Sequence, residues 1–160
     1  MTQHNETTTT LNTLIATLID SVEGYQKSAG DVDNKRYADL FNARARERQQ
    51  AITGLQAAVA AAGGNPEDDG SVMGTVHRAF QSLREAVSSR DDAAIIAEIE
   101  RGEDYLKEKF EAALRHGDIA PEARDAVNKA RESVKAGHDE MSALKHGTDN
   151  LSTAGSSYTN

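Results

Sequence analysis

The chain has 160 residues, of which 38% are hydrophobic, 28% charged and only 4% aromatic, and it contains no cysteine. This length suits one domain with a sizeable core, and the lack of cysteine excludes disulfides, thiolate metal sites and cysteine nucleophiles. The net charge of −8 opposes binding to nucleic acid, which requires a basic surface. The polar start does not resemble a signal peptide, and no apolar run is long enough to predict a transmembrane helix. We therefore expect a cytoplasmic protein.

Apolar residues recur at spacings of three and four along most of the chain, which predicts an all-helical protein. The first helix is predicted at about 11–29 and the second at about 34–62, with Asp33 as its N-cap. The inner stripe predicted for the first helix is Leu11, Ile15, Leu18, Val22, Tyr25 and Ala29. The stripe predicted for the second is Tyr37, Phe41, Ala51, Leu55, Ala58 and Ala62. Two glycines, Asn65 and Pro66 end the second helix. Further helices are predicted at about 72–88, at about 93–115 and from Pro121 onwards, because proline is favoured as the first residue of a helix.

The helix predicted at 72–88 is interpreted as a crossover between the second and third helices of a four-helix bundle. A single helix over 72–115 would be about 65 Å long, against about 44 Å for the second helix, and could not be covered by it. A segment of about 25 Å instead returns the chain along the side of the bundle. Two helical hairpins joined by a long crossover give the ferritin-like connectivity. We predict this bundle over 11–146, with disordered tails at 1–10 and 147–160.

Four short stretches carry a resemblance to a known family: RER at 46–48, GSVMGTVHR at 70–78, ERGED at 100–104 and GHD at 137–139. On these stretches the chain resembles the bacterial ferritin-like four-helix-bundle proteins that are described as a domain of unknown function. The resemblance extends over about residues 11–145 and implies the fold. It implies no activity, because a fold alone does not supply one.

The ferritin-type metal motif is incomplete in this sequence. Di-iron sites of that class use Glu-x-x-His on two helices, because carboxylates offset the iron charge and the histidine lies one turn further along the same face. Three residues after Glu47 the motif requires histidine, but the sequence has Gln50. Three residues before His138 it requires glutamate, but the sequence has Lys135. Folding the last two helices into a hairpin places His138 level with Glu98 and about one turn from Glu103.

Two interpretations of that histidine follow. Glu98, Glu103 and His138 form a candidate site for one iron or other divalent metal. Alternatively, the histidine lies at the bundle edge and is hydrogen-bonded to a carboxylate, with no metal or other cofactor bound, which is the expectation we favour.

Two arginines, Arg44 and Arg48, lie on the inner stripe of the second helix, where an unpaired guanidinium costs several kcal/mol. They either extend past a thin alanine core to solvent, or they pair with carboxylates such as Glu98 or Glu103 in a polar layer. An anion-binding role is the third alternative. The predicted polar layer comprises Arg44, Arg48, Glu47 and Glu23.

The incomplete metal motifs favour a non-enzymatic structural or interaction protein, with a stress-related role as a hypothesis at the level of the family. The alternative is a ferritin-like metal-binding protein with a degenerate carboxylate and histidine site. A lipid or small-ligand carrier is disfavoured by the acidity and the few aromatic residues. We expect no nucleic-acid partner; the partner of such a bundle would be another protein or a second copy of the chain.

Overall fold

The computed structural model describes residues 2–68, 91–116 and 119–157. Within those ranges the chain forms four helices and no strand: α1 (Thr2–Asp31), α2 (Lys35–Ala61), α3 (Asp92–His116) and α4 (Pro121–Ser157). The prediction of an all-helical, four-helix protein is confirmed. The helix predicted at 72–88 lies outside the described residues. None of the helices in these ranges has an apolar stretch long enough to cross a bilayer.

The four helices form two hairpins that pack side by side. α1 packs against α2 and α3 against α4, while α2 also contacts α4 and α1 contacts α3. Asp92, at the start of α3, accepts hydrogen bonds from the N–H groups of Asp33 and Asn34 in the α1–α2 turn, at 2.9 and 3.0 Å. At the opposite end, Thr7 Oγ1 accepts the Ala120 N–H just before α4, at 2.8 Å. Therefore α2 and α3 run in one direction, and α1 and α4 run in the other.

The ends of α2 are decided by local chemistry. Its N-cap is Asn34, one residue after the predicted Asp33, and the Asn34 side chain accepts the Arg36 N–H at 2.9 Å. At the other end Gly63 adopts φ +82°, a conformation that favours glycine. The N–H groups of Gly63 and Gly64 bond back to carbonyls of the last turn at 3.0 and 2.9 Å, which is a Schellman motif.

The first and last helices, α1 and α4, extend beyond the ends that the sequence predicts for them. α1 begins at Thr2, so it includes most of the segment 1–10 that we predicted to be a disordered tail, and α4 continues to Ser157 rather than ending near 146. The hydroxyl of Thr7 is buried because it satisfies the Ala120 N–H. At the far end of α4 each further residue adds one backbone hydrogen bond to a helix already formed. This favours continuation past Met141, the last fully buried residue among the side chains that the structure describes.

The core consists of the apolar faces of the helices. In α1 the predicted stripe is buried, and it consists of Leu11, Ile15, Leu18, Val22 and Tyr25. In α2 the predicted residues Phe41 and Leu55 are buried, but Ile52 and Val59 are buried in place of Ala51 and Ala58, which lie partly buried beside them. The larger branched side chains gain more from burial than alanine does, and they determine which face turns inward.

Candidate functional site

A buried ion pair between Arg48 of α2 and Glu103 of α3 lies at the centre of the bundle. Arg48 Nη1 is 2.5 Å from Glu103 Oε1, and Nη2 is 2.7 Å from Oε2. This is the bidentate arrangement, in which two parallel hydrogen bonds fix the relative orientation of both groups. The side chains of Arg48 and Glu103 are 0% and 1% exposed. Both charges are therefore removed from water and satisfied chiefly by each other.

The helical period places both residues on inward faces. Arg48 lies one turn after Ala45 on the buried face of α2. Glu103 lies one turn after Ile99 and one turn before Leu106 on α3, and both of these neighbours are buried. The apolar residues above and below hold the two charged side chains at the same depth. The pair therefore replaces one layer of the hydrophobic core.

The other two helices complete a polar layer around this pair. The Ser21 hydroxyl of α1 accepts a hydrogen bond from Arg48 Nη1 at 2.9 Å, and the Ser133 carbonyl of α4 accepts a long one from Nη2 at 3.4 Å. The Tyr25 ring of α1 lies 5.5 Å from Arg48 Cζ, a cation–π contact. All four helices thus contribute to the environment of one guanidinium.

Gly137 allows the backbone of α4 to approach the ion pair closely. A Cβ atom at this position would lie 2.5 Å from Arg48 Nη2 and 2.7 Å from Glu103 Oε2. Both distances are far below van der Waals contact, so no other residue fits without moving the pair. A glycine inside a helix costs about 0.5–1 kcal/mol relative to alanine, and here the close approach gives the reason for it.

Not every polar atom of the layer is satisfied. The Tyr25 hydroxyl, Arg48 Nε and the Ser133 hydroxyl are buried and make no hydrogen bond with the described part of the chain. Burial raises the pKa of Tyr25 well above 10.0, and the nearby Glu103 charge raises it further. Burial opposes the charge on Arg48, but the Glu103 carboxylate outweighs it and raises the pKa of Arg48 above its ordinary value. At neutral pH the layer therefore holds a neutral phenol beside a charged guanidinium.

A second cluster of ionisable side chains lies at the bundle edge, between α3 and α4. One potential ligand atom each of Glu100, Asp104 and His138 lies within 4.8 Å of the other two. His138 Nε2 is 2.5 Å from Asp104 Oδ1, and His138 Nδ1 is 3.3 Å from Asp139 Oδ1. The Glu100 carboxylate also forms an ion pair with Lys145 of α4, at 3.0 Å.

The sequence model of one protein family matches residues 6–116 of the chain. That family is described as Domain of unknown function (DUF2383). The chain belongs to the DUF2383 family. The matched region contains α1 from residue 6 onwards, all of α2 and α3, and therefore both partners of the buried ion pair. No curated protein and no solved structure matches the chain significantly.

The predicted polar layer of this DUF2383 protein is only partly found at the bundle centre. Arg48 is buried there, with its charge paired rather than exposed to solvent. Arg44 lies at the edge, where its side chain is 15% exposed and pairs with Glu140 at 2.9 Å and Glu47 at 3.0 Å. Glu47 and Glu23 are exposed, so their assignment to a buried layer was wrong. Both point outward because the buried faces of their helices are taken by larger apolar residues.

The predicted metal ligands of this DUF2383 protein are not brought together. Glu103 is engaged by Arg48, Glu98 pairs with Arg101 on the exposed side of α3, and His138 contacts Asp104 instead. Glu98, Glu103 and His138 therefore do not form one cluster, whereas Glu100, Asp104 and His138 lie together. The hairpin geometry placed His138 level with Glu98, whereas the histidine contacts Asp104, six residues further along α3.

Sequence reasoning did not identify Gly137, Ser21 or Tyr25 as neighbours of the ion pair. Tyr25 was assigned to the core, but its contact with a cation depends on the position of α2 relative to α1. Gly137 did carry a signal, because glycine in the interior of a helical pattern often marks a close approach of another group. A serine on an apolar stripe, such as Ser21, carries a weaker signal of the same kind.

Proposed function

We propose that this protein is a non-enzymatic structural or interaction protein whose bundle centre is closed by the Arg48–Glu103 pair. The observation that supports this is the engagement of both Glu103 oxygens by one guanidinium, at 2.5 and 2.7 Å. Ferritin-like proteins use inward-facing carboxylates of the bundle core to bind metal. Here the guanidinium stands where a metal cation would otherwise balance the carboxylate.

The packing around the pair supports the same conclusion. A single methyl group at Gly137 would lie 2.5 Å from Arg48, so a metal ion with its other ligands does not fit unless the arginine leaves. The protonated Tyr25 and the charged Arg48 have pKa values raised away from neutrality. A general acid or base works best with a pKa near the operating pH, so neither group suits that role.

We infer that the connectivity is ferritin-like, with two hairpins joined along the length of the bundle. The chain leaves α2 next to the start of α1, since a Cβ at Gly64 would contact the Thr8 side chain at 2.6 Å. It enters α3 at the other end of α1, where Asp92 binds the α1–α2 turn. The two ends of the connection are thus at opposite ends of the bundle, which is the arrangement a crossover requires.

Aerobic oxidation of Fe(II) tests this proposal. Untagged protein is mixed with Fe(II), and formation of Fe(III) is followed by its ultraviolet absorbance, with buffer as the reference. We expect no acceleration, because a di-iron centre of the ferritin type has no free carboxylate at the bundle centre. Oxidation that is faster than in buffer and lost in a Glu103→Gln variant would overturn the proposal. A His138→Ala variant, assayed in parallel, separates any contribution of the bundle edge.

A further inference from the structure

We propose that Glu100, Asp104 and His138 bind one divalent transition-metal ion at the bundle edge, outside the polar layer. One ligand atom from each lies within 4.8 Å of the others. Zinc binds nitrogen and oxygen ligands at about 2.0–2.2 Å in a tetrahedral site, which places ligand atoms about 3.4 Å apart. Rotation of the carboxylate side chains closes the remaining gap. The site is separate from the bundle centre, and this inference does not depend on the proposed function.

The backbone arrangement explains why these three residues meet. Glu100 and Asp104 are four residues apart on α3, so they lie one turn apart on the same face. Gly137 of α4 lies against Glu103 of α3. The next residue on each helix is His138 on α4 and Asp104 on α3, and these two meet at the edge of the same contact. The same close approach that closes the core layer therefore also assembles the edge cluster.

The cluster is partly covered but open to solvent on one side. The side chains of Glu100 and His138 are 14% and 16% exposed, while Asp104 is 52% exposed. Two ligands are therefore held against the helices, and the third can adjust as an ion enters. The three protein ligands leave a fourth position for water.

The histidine is already oriented for binding through one nitrogen. His138 Nδ1 lies 3.3 Å from Asp139 Oδ1, and in the tautomer protonated at Nδ1 this nitrogen donates to Asp139. In the metal-free protein a proton lies between His138 Nε2 and Asp104 Oδ1, which are 2.5 Å apart. An entering ion would displace that proton and bind the two atoms in its place. A metal-bound histidine commonly donates the N–H of its other ring nitrogen to a carboxylate, and this hydrogen bond fixes the orientation of the ring.

The ligand chemistry selects the class of ion. One imidazole and two carboxylates suit Zn²⁺, Fe²⁺ or Ni²⁺, whereas Mg²⁺ and Ca²⁺ prefer sites made of oxygen alone. The ion must displace Lys145, which pairs with Glu100 at 3.0 Å. A divalent ion would place two positive charges beside the Glu100 carboxylate, where Lys145 places one.

Titration calorimetry of the untagged full chain with ZnCl₂ tests the proposal. We expect one Zn²⁺ per chain, unaffected by excess Mg²⁺. His138→Ala and Asp104→Asn should each weaken binding at least tenfold. The matched control is His116→Ala, which removes an exposed histidine at the end of α3 and should leave binding unchanged. Circular dichroism verifies that each variant is folded.

Two results would overturn the assignment. Zinc binding of the same affinity in the wild type and in His138→Ala would show that the ion binds elsewhere, and so would an equal loss in the His116→Ala control. Co²⁺ gives a second measurement that does not depend on heats. Its visible absorption on binding to the wild type should disappear in Asp104→Asn, a half-exposed position at which substitution leaves the core intact. Accelerated Fe(II) oxidation at the bundle centre would refute the proposed function without affecting this result.

Discussion

Replacement of Arg48 by methionine removes the guanidinium while retaining most of the buried stem. Glu103, which is 1% exposed, is then left as an unpaired buried charge. Removing one partner of a buried pair typically costs about 3–5 kcal/mol, and the lost Ser21 hydrogen bond adds about 1 kcal/mol. An arginine that merely extended its head into solvent would lose only the burial of a CH₂ or two, at about 0.8 kcal/mol each. We therefore expect Arg48→Met to cost about 4 kcal/mol or more.

Urea denaturation followed by far-ultraviolet circular dichroism measures this loss, provided that the unfolding is two-state. Glu103→Leu should be similarly destabilising, because it leaves the guanidinium buried alone. The double variant removes both charges and should recover most of the stability, since apolar replacements of buried ion pairs are often neutral or better. A loss below about 1 kcal/mol in either single variant would refute the reasoning. The reasoning would also be refuted if the loss of stability in the double variant equalled the sum of the two single-variant losses to within about 0.5 kcal/mol.

The remaining predictions concern the packing around the pair and are measured by the same denaturation. Gly137→Ala places a Cβ 2.5 Å from a guanidinium nitrogen and should cost about 1–3 kcal/mol. Gly54→Ala on α2 meets nothing within 4 Å and should instead gain up to about 1 kcal/mol. Tyr25→Phe removes a buried hydroxyl that has no partner among the described residues, so stability at neutral pH should be unchanged or higher. Because the folded protein holds the Tyr25 proton more tightly than the unfolded chain, wild type should lose stability relative to this variant as the pH rises above 10.0. Leu106→Ala empties a fully buried position and should cost about 2–5 kcal/mol.

Each of these expectations has a contrary outcome. If Gly137→Ala and Gly54→Ala changed the free energy of unfolding by similar amounts, the backbone of α4 would not be in close contact with the ion pair. A loss of about 1–2 kcal/mol in Tyr25→Phe would mean that the hydroxyl donates a hydrogen bond in the folded protein. A loss at Leu106 no larger than about 0.5 kcal/mol, as at an ordinary surface site, would contradict the assignment of the core.

Those parts of the fold that depend on a few neighbouring residues could be predicted from the sequence. Pro121 starts α4 as expected, and the turn at Gly63 ends α2, because both effects are decided within one helical turn. The buried face of α1 was also predicted, since Leu and Ile recur there with few competing apolar positions. On α2 the buried Phe41 and Leu55 were predicted, but Ala51 and Ala58 were assigned to the core in place of their neighbours, because the many alanines of this helix make adjacent faces nearly equivalent.

The candidate site depends on how the helices are placed relative to one another, and no short sequence pattern specifies that placement. The choice between Glu98 and Glu103 as the partner of Arg48 is a choice of height between α2 and α3, which are joined by a long connection rather than a tight turn. The two glutamates are five residues apart, which is about 7.5 Å along the helix axis and about 140° around it. Although the α3–α4 turn is short, His138 was predicted level with Glu98, six residues and about 9 Å along the helix axis from Asp104, which it contacts. Asp104 is one residue after the predicted ligand Glu103 and therefore lies about 100° further around the helix.

The ion pair joins residues from different hairpins, and this has a consequence for how the hairpins assemble. Apolar contacts are not directional, so the Leu, Ile, Val and Phe side chains of the core specify the height of one hairpin against the other less strictly than a bidentate ion pair does. If one hairpin docked a turn too high or too low, Arg48 and Glu103 would each be buried without the other, at a cost of several kcal/mol. The charges therefore select one docking position among several that the apolar surface tolerates. The apolar double variant should be as stable as wild type yet show duplicated amide resonances, because more than one docking position becomes populated.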